Sequence, residues 1–587
     1  GAALQGQGKL EEAIQSYQTA LVLNPNYTKA HSNLGIALNR QGKQEEAIQS
    51  YQTALALNPN DAEAHNNLGV AFKELGQLER AVASYEKAIA HQPDYASPYN
   101  NLGVTLKELG RLEEAVARYN EALALDSNLS EVHSNLGEVF RELGLLDQAV
   151  ASCQKAITLN PNLVEAHNNL GNAYRNLKQS EEATTSYAQA LSLKPDYAEA
   201  HNNLGNLHVE FNRLEEAADS YQKAISIKPD YADAHNNLGS VYRAQGLLNE
   251  AYLSYQKALT LRPEFAEAHS NLGLVHFDMG NLVRAFSSYQ KALFIKSDYA
   301  EAHHNLGSLY YEQGNIDEAV KVIDTALSYQ PEKVGWRVKK ALLLPVIPSS
   351  QESIETFRDA RCKSIPVFMN EGLSIEDPTV DVGVTNFYLA YHGQNNRSLL
   401  QDTADLYIAL CPKLSYQAKH CQSTERPKKE ILRVGFLSSH LRAHTIGNLT
   451  RGIIEHLSRD LFEVIVFRLP GKKDEVSEAI DGTADRVVSL YKNLDGDWKI
   501  IEDQKLDILF YPDIGMDPYT YYLSFARLAP VQAVTWGHPD TTGIPNIDYF
   551  VSSALLEVPD ASSHYSEELI ELPHLPTYYY PLEAPES

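Results

Sequence analysis

A Leu-Gly pair returns every 34 residues, with glycine at 35, 69, 103, 137, 171, 205, 239, 273 and 307, and its phase never slips. Few features restrict a chain more. A period of this length means that each repeat is one small supersecondary unit, unable to bury its apolar face alone and obliged to stack on the next. Proline keeps step at Pro25, Pro59, Pro93, Pro161, Pro195, Pro229, Pro263 and Pro331, with Ser127 and Ser297 at the two remaining places.

Ala47, Tyr51, Ala54 and Pro59 follow Leu34-Gly35 at the offsets of the tetratricopeptide pattern, two antiparallel helices per repeat. Glycine and alanine let the helices approach, Tyr51 and its equivalents fill the groove, and proline ends the second helix. Residues 1–345 therefore read as an α-superhelix of tetratricopeptide repeats. Gly1 lies 34 residues before Gly35 and in phase with it, which predicts a start within a repeat and further repeat residues upstream.

An asparagine precedes each Leu-Gly, at Asn33, Asn67, Asn101, Asn135, Asn169, Asn203, Asn237, Asn271 and Asn305. Asparagine is a weak helix former, so its persistence at one helical register needs a reason. One reason is packing. The other is a ladder of primary amides, each offering a donor and an acceptor, that grips an extended polypeptide backbone without reading its side chains; we favour the ladder. The recurring histidines His31, His65, His133, His167, His201, His235, His269 and His303 supply one ligand per repeat, too few for a tetrahedral metal site, and read as packing residues.

Composition narrows the partners. The formal charge of −26 argues against a nucleic-acid surface, which needs clustered Lys and Arg. No apolar run approaches the roughly 20 residues of a membrane span, and no secretory leader pattern opens the chain. Four scattered cysteines suit neither a disulfide framework nor a zinc site, so a cytoplasmic setting is expected.

The period breaks after residue 345. Residues 346–430 read as a helical intervening region closed by the polar linker Gln422 to Glu430. Short apolar and β-branched runs at 431–439, 462–469, 485–490, 506–513, 531–536 and 548–553 then alternate with helical segments. That alternation predicts an α/β, doubly wound (Rossmann-like) parallel sheet over 431–575. Ligands bind such sheets off the carboxyl ends of the strands. Three loops qualify: 438–447 with His440 and His444, 511–518 with Asp513 and Asp517, and the loop within 527–550 with His538, Asp540, Thr541 and Thr542. No dinucleotide glycine fingerprint, Walker loop, Gly-x-Ser-x-Gly elbow or His-Glu-x-x-His motif is present.

Taken together, the Asn-Leu-Gly repeats and the runs "RVGFLSSHLRAHTIG", "LDILFYPDIG", "RLAPVQAVTWGHPDTTGIPNIDY" and "EELIELP" resemble glycosyltransferase family 41, the O-GlcNAc transferase and SPINDLY group, in a bacterial style. The resemblance implies a two-lobed enzyme that moves a sugar, with inversion and without a metal, from a nucleotide-sugar (UDP-GlcNAc or GDP-fucose) to Ser or Thr hydroxyls of polypeptides held in the repeat groove. It implies that His444 is an active-site residue, with His440, Asp513, His538, Thr541 and Thr542 as candidates beside it, and that Asn33 through Asn305 form the acceptor ladder. It implies no tightly bound cofactor. His440, Asn448 and the 511–518 loop depart from the family's usual residues. Residues 576–587 read as the start of an inter-lobe connection, and with the donor-binding lobe beyond it this chain alone is expected to transfer no sugar. The competing readings are a tetratricopeptide scaffold with a non-catalytic lobe and a glycosyltransferase acting on small molecules or lipids. Self-association through the repeats is left open.

Overall fold

The computed structural model describes residues 1–422, 429–471, 473–537 and 540–577. It comprises two compact units, Gly1–Pro229 and Asp230–Ser587. The division falls inside the repeat array and not where the 34-residue period ends. The physical reason is that repeats contact mainly their neighbours, whereas the last ones also pack on the region C-terminal to the array: Ala319 and Ile323 share one apolar core with Val338, Leu400 and Leu509.

Helix pairs fill the first unit. In one repeat Thr28–Arg40 packs on Gln44–Leu57, and the pattern recurs 34 residues on with Ala62–Glu74 and Leu78–His91. Glycine is required at the crossing. A Cβ placed on Gly35 would stand 2.6 Å from Tyr51 Cε1, and one on Gly69 would meet Tyr85 at the same distance. Where the tyrosine is replaced, Cys153 and Ile323 occupy its place against Gly137 and Gly307. Gly1 lies against Tyr17 in the same way.

The repeated histidines tie each first helix to the turn before it. His31, His65 and His167 each bring Nε2 to 2.9 Å from the carbonyl oxygen of Pro25, Pro59 and Pro161. At the one repeat without that histidine, Tyr99 donates its hydroxyl to the Pro93 carbonyl at 3.1 Å. Packing is what these residues do.

In the second unit three more helix pairs, from Ala232–Ala244 to Ile316–Tyr329, lead to the helix Val334–Leu342. The intervening region forms the helices Gln351–Asn370 and Arg397–Leu410 around a buried Arg361, which donates to Asn386 Oδ1 and to Thr403 Oγ1. Next comes a seven-stranded, wholly parallel sheet: β1 Leu432–Leu437, β2 Phe462–Arg468, β3 Arg486–Ser489, β4 Ile508–Tyr511, β5 Val531–Thr535, β6 Tyr549–Ser553 and β7 Glu568–Leu572. Six of these match the sequence expectation. The seventh, β7, is an edge strand whose Glu-Leu-Ile-Glu-Leu carries too little apolar surface to announce itself.

The order is β3-β2-β1-β4-β5-β6-β7. The chain therefore runs outward from β1 in one direction, then returns to β1's other side at β4. Between β1 and β4 the connections diverge to opposite faces, leaving a crevice at the carboxyl ends of both strands. The helices are α1 Thr445–His456, α2 Glu475–Thr483, α3 Leu494–Gln504 and α4 Pro518–Leu523.

Candidate active site at the sheet switch point

The crevice is built by three loops, and each is held by a specific contact. After β1 the chain doubles back twice: Arg442 N–H donates to the His440 carbonyl at 2.8 Å and His444 N–H to the Arg442 carbonyl at 2.6 Å. Gly447 permits this, since a Cβ there would fall 2.0 Å from Arg442 O. The Asp474 carboxylate, which caps α2, receives Ala443 N–H at 2.8 Å and anchors the loop from outside.

His444 is the N-cap of α1. Its Nδ1 accepts the Ile446 N–H at 3.2 Å. An accepting Nδ1 carries no proton, so the neutral ring holds its proton on Nε2 and presents it as a donor. Burial, with Arg442 nearby, keeps the ring's pKa below the usual imidazole value. His440 stacks on His444 with ring centroids 4.3 Å apart. Burial, and secondarily His444, pushes its pKa down to about 4, and neither of its ring nitrogens has a hydrogen-bond partner among the described residues.

After β4, Asp513 is fully buried. Its Oδ1 accepts from Ser438 Oγ, joining the β4 loop to the β1 loop, while Oδ2 has no partner among the described residues. Burial raises this carboxyl's pKa to about 7. Asp517 caps α4, accepting Thr520 N–H at 2.9 Å.

The β5 loop closes the arrangement through Gly537. A Cβ on it would meet Pro512 O at 2.1 Å, Ile446 Cδ1 at 2.8 Å and Asp513 Cβ at 3.0 Å, so the glycine is the point where all three loops touch. His538 lies outside the described residues. A cavity of about 260 Å³ opens beside this point, with His444, Trp536 and Thr535 on its wall and Ile446, Phe510 and Met516 among its apolar lining.

The second half of the same motif turns away from the cavity. Thr541 and Thr542 are buried, and both hydroxyls donate to the Glu567 carboxylate, that of Thr541 at 2.6 Å. Asp540 accepts from Asn396 Nδ2 at 2.6 Å, and burial raises its pKa to about 6. Gly543 has φ +71 and no room for a Cβ, which would sit 2.4 Å from Leu400 C. This turn docks the sheet onto the helix Arg397–Leu410. Glu567 is not anticipated from sequence, because nothing local marks a glutamate that serves two threonines 26 and 25 residues away.

In the repeats, all nine asparagines of the row are half-buried. Their amides are partly engaged: Asn101 donates to Asn66 Oδ1 at 3.0 Å, and Asn203 to Asn168 Oδ1 at 3.0 Å. No three His, Cys, Asp or Glu side chains gather as a metal site among the described residues. No described helix is long and apolar enough to cross a membrane.

Residues 391–580, which hold the sheet and all three loops, match glycosyl transferase family 41. Over those residues the chain carries a glycosyltransferase family 41 domain. Ahead of this family 41 region, tetratricopeptide repeat profiles match residues 205–246, 239–280, 276–314 and 300–333, and the profile of the cilia and flagella-associated protein 70 C-terminal domain matches residues 1–203. Among curated relatives, a probable UDP-N-acetylglucosamine–peptide N-acetylglucosaminyltransferase SPINDLY of Solanum lycopersicum is 28% identical over 181 residues, 30% of this chain and 19% of the relative. The UDP-glucose:protein N-beta-glucosyltransferase of Actinobacillus pleuropneumoniae serotype 7 is 36% identical over 89 residues, 15% of this chain and 14% of the relative. The chain thus spans about a fifth of the plant relatives it matches. Among solved structures, a Thermobaculum terrenum O-GlcNAc transferase mutant aligns at 19% identity and TM-score 0.41, covering 59% of this chain and 58% of its own. The family 41 match includes His444, Asp513 and Glu567, while the asparagine row lies outside it.

Proposed function

We propose that this chain contributes to a protein O-glycosyltransferase, with the asparagine row holding an acceptor polypeptide and the β1–β4 crevice forming one side of the transfer site. The donor is a nucleotide-sugar, and UDP-N-acetylglucosamine is the first to test, with GDP-fucose and UDP-glucose as further arms. In an inverting, metal-free displacement the Ser or Thr hydroxyl oxygen attacks the anomeric carbon. The nucleoside diphosphate leaves with the electron pair of the broken C–O bond, and the proton of the hydroxyl passes to the departing phosphate oxygen or to water.

The observation that carries this reading is the meeting of three strand-end loops at a topological switch point, with His444 on the cavity wall. The hydrogen bond at Nδ1 supports one role for His444. With that lone pair engaged and Nε2 protonated, the neutral ring has no free base site. It acts as a donor that orients an acceptor or donor oxygen and stabilises charge growing on it. Asp513, behind the loop, fixes the geometry through Ser438.

Two substitutions separate chemistry from helix capping. Asn is among the best N-caps, and Ala loses about 1 kcal/mol of capping. In the full-length protein, His444→Asn should therefore keep wild-type stability and lower sugar transfer to peptides about 100-fold or more, in the range expected for an oriented active-site group. His444→Ala should lose both. A His444→Asn protein that glycosylates peptides at the wild-type rate would remove His444 from the reaction and count against the crevice as part of the transfer site.

A further inference from the structure

We propose that the residues one place before the ladder asparagines form a second, largely buried row, and that this row sets the direction in which six ladder amides, those of Asn101, Asn135, Asn169, Asn203, Asn271 and Asn305, face the acceptor. The proposal rests on the reading of the asparagine row as the acceptor grip.

Six contacts repeat one geometry. A ladder amide nitrogen donates back by 35 residues: Asn101 to Asn66 at 3.0 Å, Asn135 to Asn100 at 3.1 Å, Asn203 to Asn168 at 3.0 Å and Asn271 to Asn236 at 3.1 Å, all to Oδ1. Where the second row holds serine, the hydroxyl oxygen takes the same place, from Asn169 to Ser134 at 3.2 Å and from Asn305 to Ser270 at 3.3 Å. The second-row residues Asn66, Ser134, Asn168, Asn236 and Ser270 are each at most 5% exposed, while the ladder residues are half-buried. Apart from the half-buried Asn100, the inner row is packed more tightly than the outer.

The direction of each bond follows from chemistry. Asn236 donates its own Nδ2 to Glu267 Oε1 at 2.9 Å, so only its Oδ1 can face Asn271. A carboxylate accepts and never donates, which fixes the polarity of the string from Glu267 through Asn236 to Asn271. In the four asparagine–asparagine pairs this bond engages one N–H of the ladder amide, leaving its Oδ1 and second N–H to meet a peptide N–H and carbonyl. An amide held this way has less rotamer freedom left to lose on binding, which is the general benefit of preorganisation. The second row therefore consists of positioning residues.

The test compares three triple variants of the full-length protein: Asn66→Ala/Asn100→Ala/Asn168→Ala, the same sites to Ser, and the ladder set Asn101→Ala/Asn135→Ala/Asn203→Ala. Binding of fluorescein-labelled 15-residue peptides with a central serine is read by anisotropy, and folding by thermal melting. Ordering one such side chain corresponds to about two- to ten-fold in Kd, so the second-row Ala set should weaken binding by roughly ten-fold or more. The Ser set, which copies Ser134 and Ser270, should bind like wild type. The half-buried single variant Asn100→Ala repeats the comparison with the least effect on packing. Equal binding by the Ala and Ser sets, whether both weak or both intact, overturns the second-row proposal while a defect in the ladder set upholds the acceptor reading. A ladder set that binds like wild type overturns both.

Discussion

Replacing Asp513 by Asn should stabilise the sheet lobe at alkaline pH relative to acid pH, because the native state holds this carboxyl against its preference. Asp513 is fully buried, and burial raises its pKa from 3.8 to about 7. In the unfolded chain the group ionises near 3.9. Between about pH 4 and 7 the folded protein keeps a proton that the unfolded chain has released. Stability therefore falls as pH rises through that window, by up to about 1.4 kcal/mol per unit, and the loss is complete above the folded pKa. Asparagine cannot ionise and still offers Oδ1 to Ser438, so it removes the pH term. Its new amide N–H₂ sits where Oδ2 has no partner, which costs about 1–3 kcal/mol at every pH. The absolute stability of the variant thus depends on that offset, but its pH trend does not. The stability of the variant minus that of wild type should rise by roughly 3 kcal/mol from pH 5 to pH 8, two units of the window at ~1.4 kcal/mol each. The three tryptophans, Trp336, Trp498 and Trp536, all lie in the second compact unit, so urea titrations followed by tryptophan fluorescence report on that unit alone. A difference that stays constant within about 0.5 kcal/mol from pH 5 to pH 8 would refute a carboxyl held largely protonated, and with it the claim that burial dominates at this position.

Two further substitutions probe the packing. Gly537→Ala puts a Cβ 2.1 Å from a backbone oxygen that cannot rotate away, so it should cost about 3 kcal/mol, the upper end of overpacking, and shift the β5 loop off the cavity; urea unfolding and peptide glycosylation should both register it, and unchanged behaviour in both would contradict the three-loop junction. Lys178 holds φ at 59, where the equivalent turns at Gly144 and Gly246 use glycine, so Lys178→Gly should raise stability of the first unit by up to about 1 kcal/mol in a thermal melt; a lower melting temperature would mean that the side chain makes contacts worth more than the strain.

What the sequence discloses and what it withholds divide along a physical line. Periodic features are legible: the 34-residue glycines, the tyrosines they face and the apolar runs of β1 to β6, because each is a local pattern repeated or concentrated in a few residues. Relations between distant residues are not. Glu567 joins Thr541 and Thr542 across 26 and 25 positions, and Asn66 meets Asn101 across 35. The double asparagine in "HNNLG" is in plain view, yet only its second member stands out by sequence, since nothing in one repeat reveals that the first faces the next repeat.

The stretch from Arg527 to Phe550 shows why a continuous motif need not be a continuous site. Trp536 and Gly537 face the cavity, and the glycine is where three loops meet. Three residues on, the chain has turned, and Asp540, Thr541 and Thr542 bind Asn396 and Glu567 instead. Each half makes the other possible. The Thr-Thr-Gly turn fixes β5 and β6 against the helix Arg397–Leu410, and that fixed frame holds Gly537 against Pro512 closely enough to exclude a single carbon atom. A loop that must stay within a few tenths of an ångström needs such a buttress. Substituting Thr542 should therefore change the cavity without any contact with what binds there.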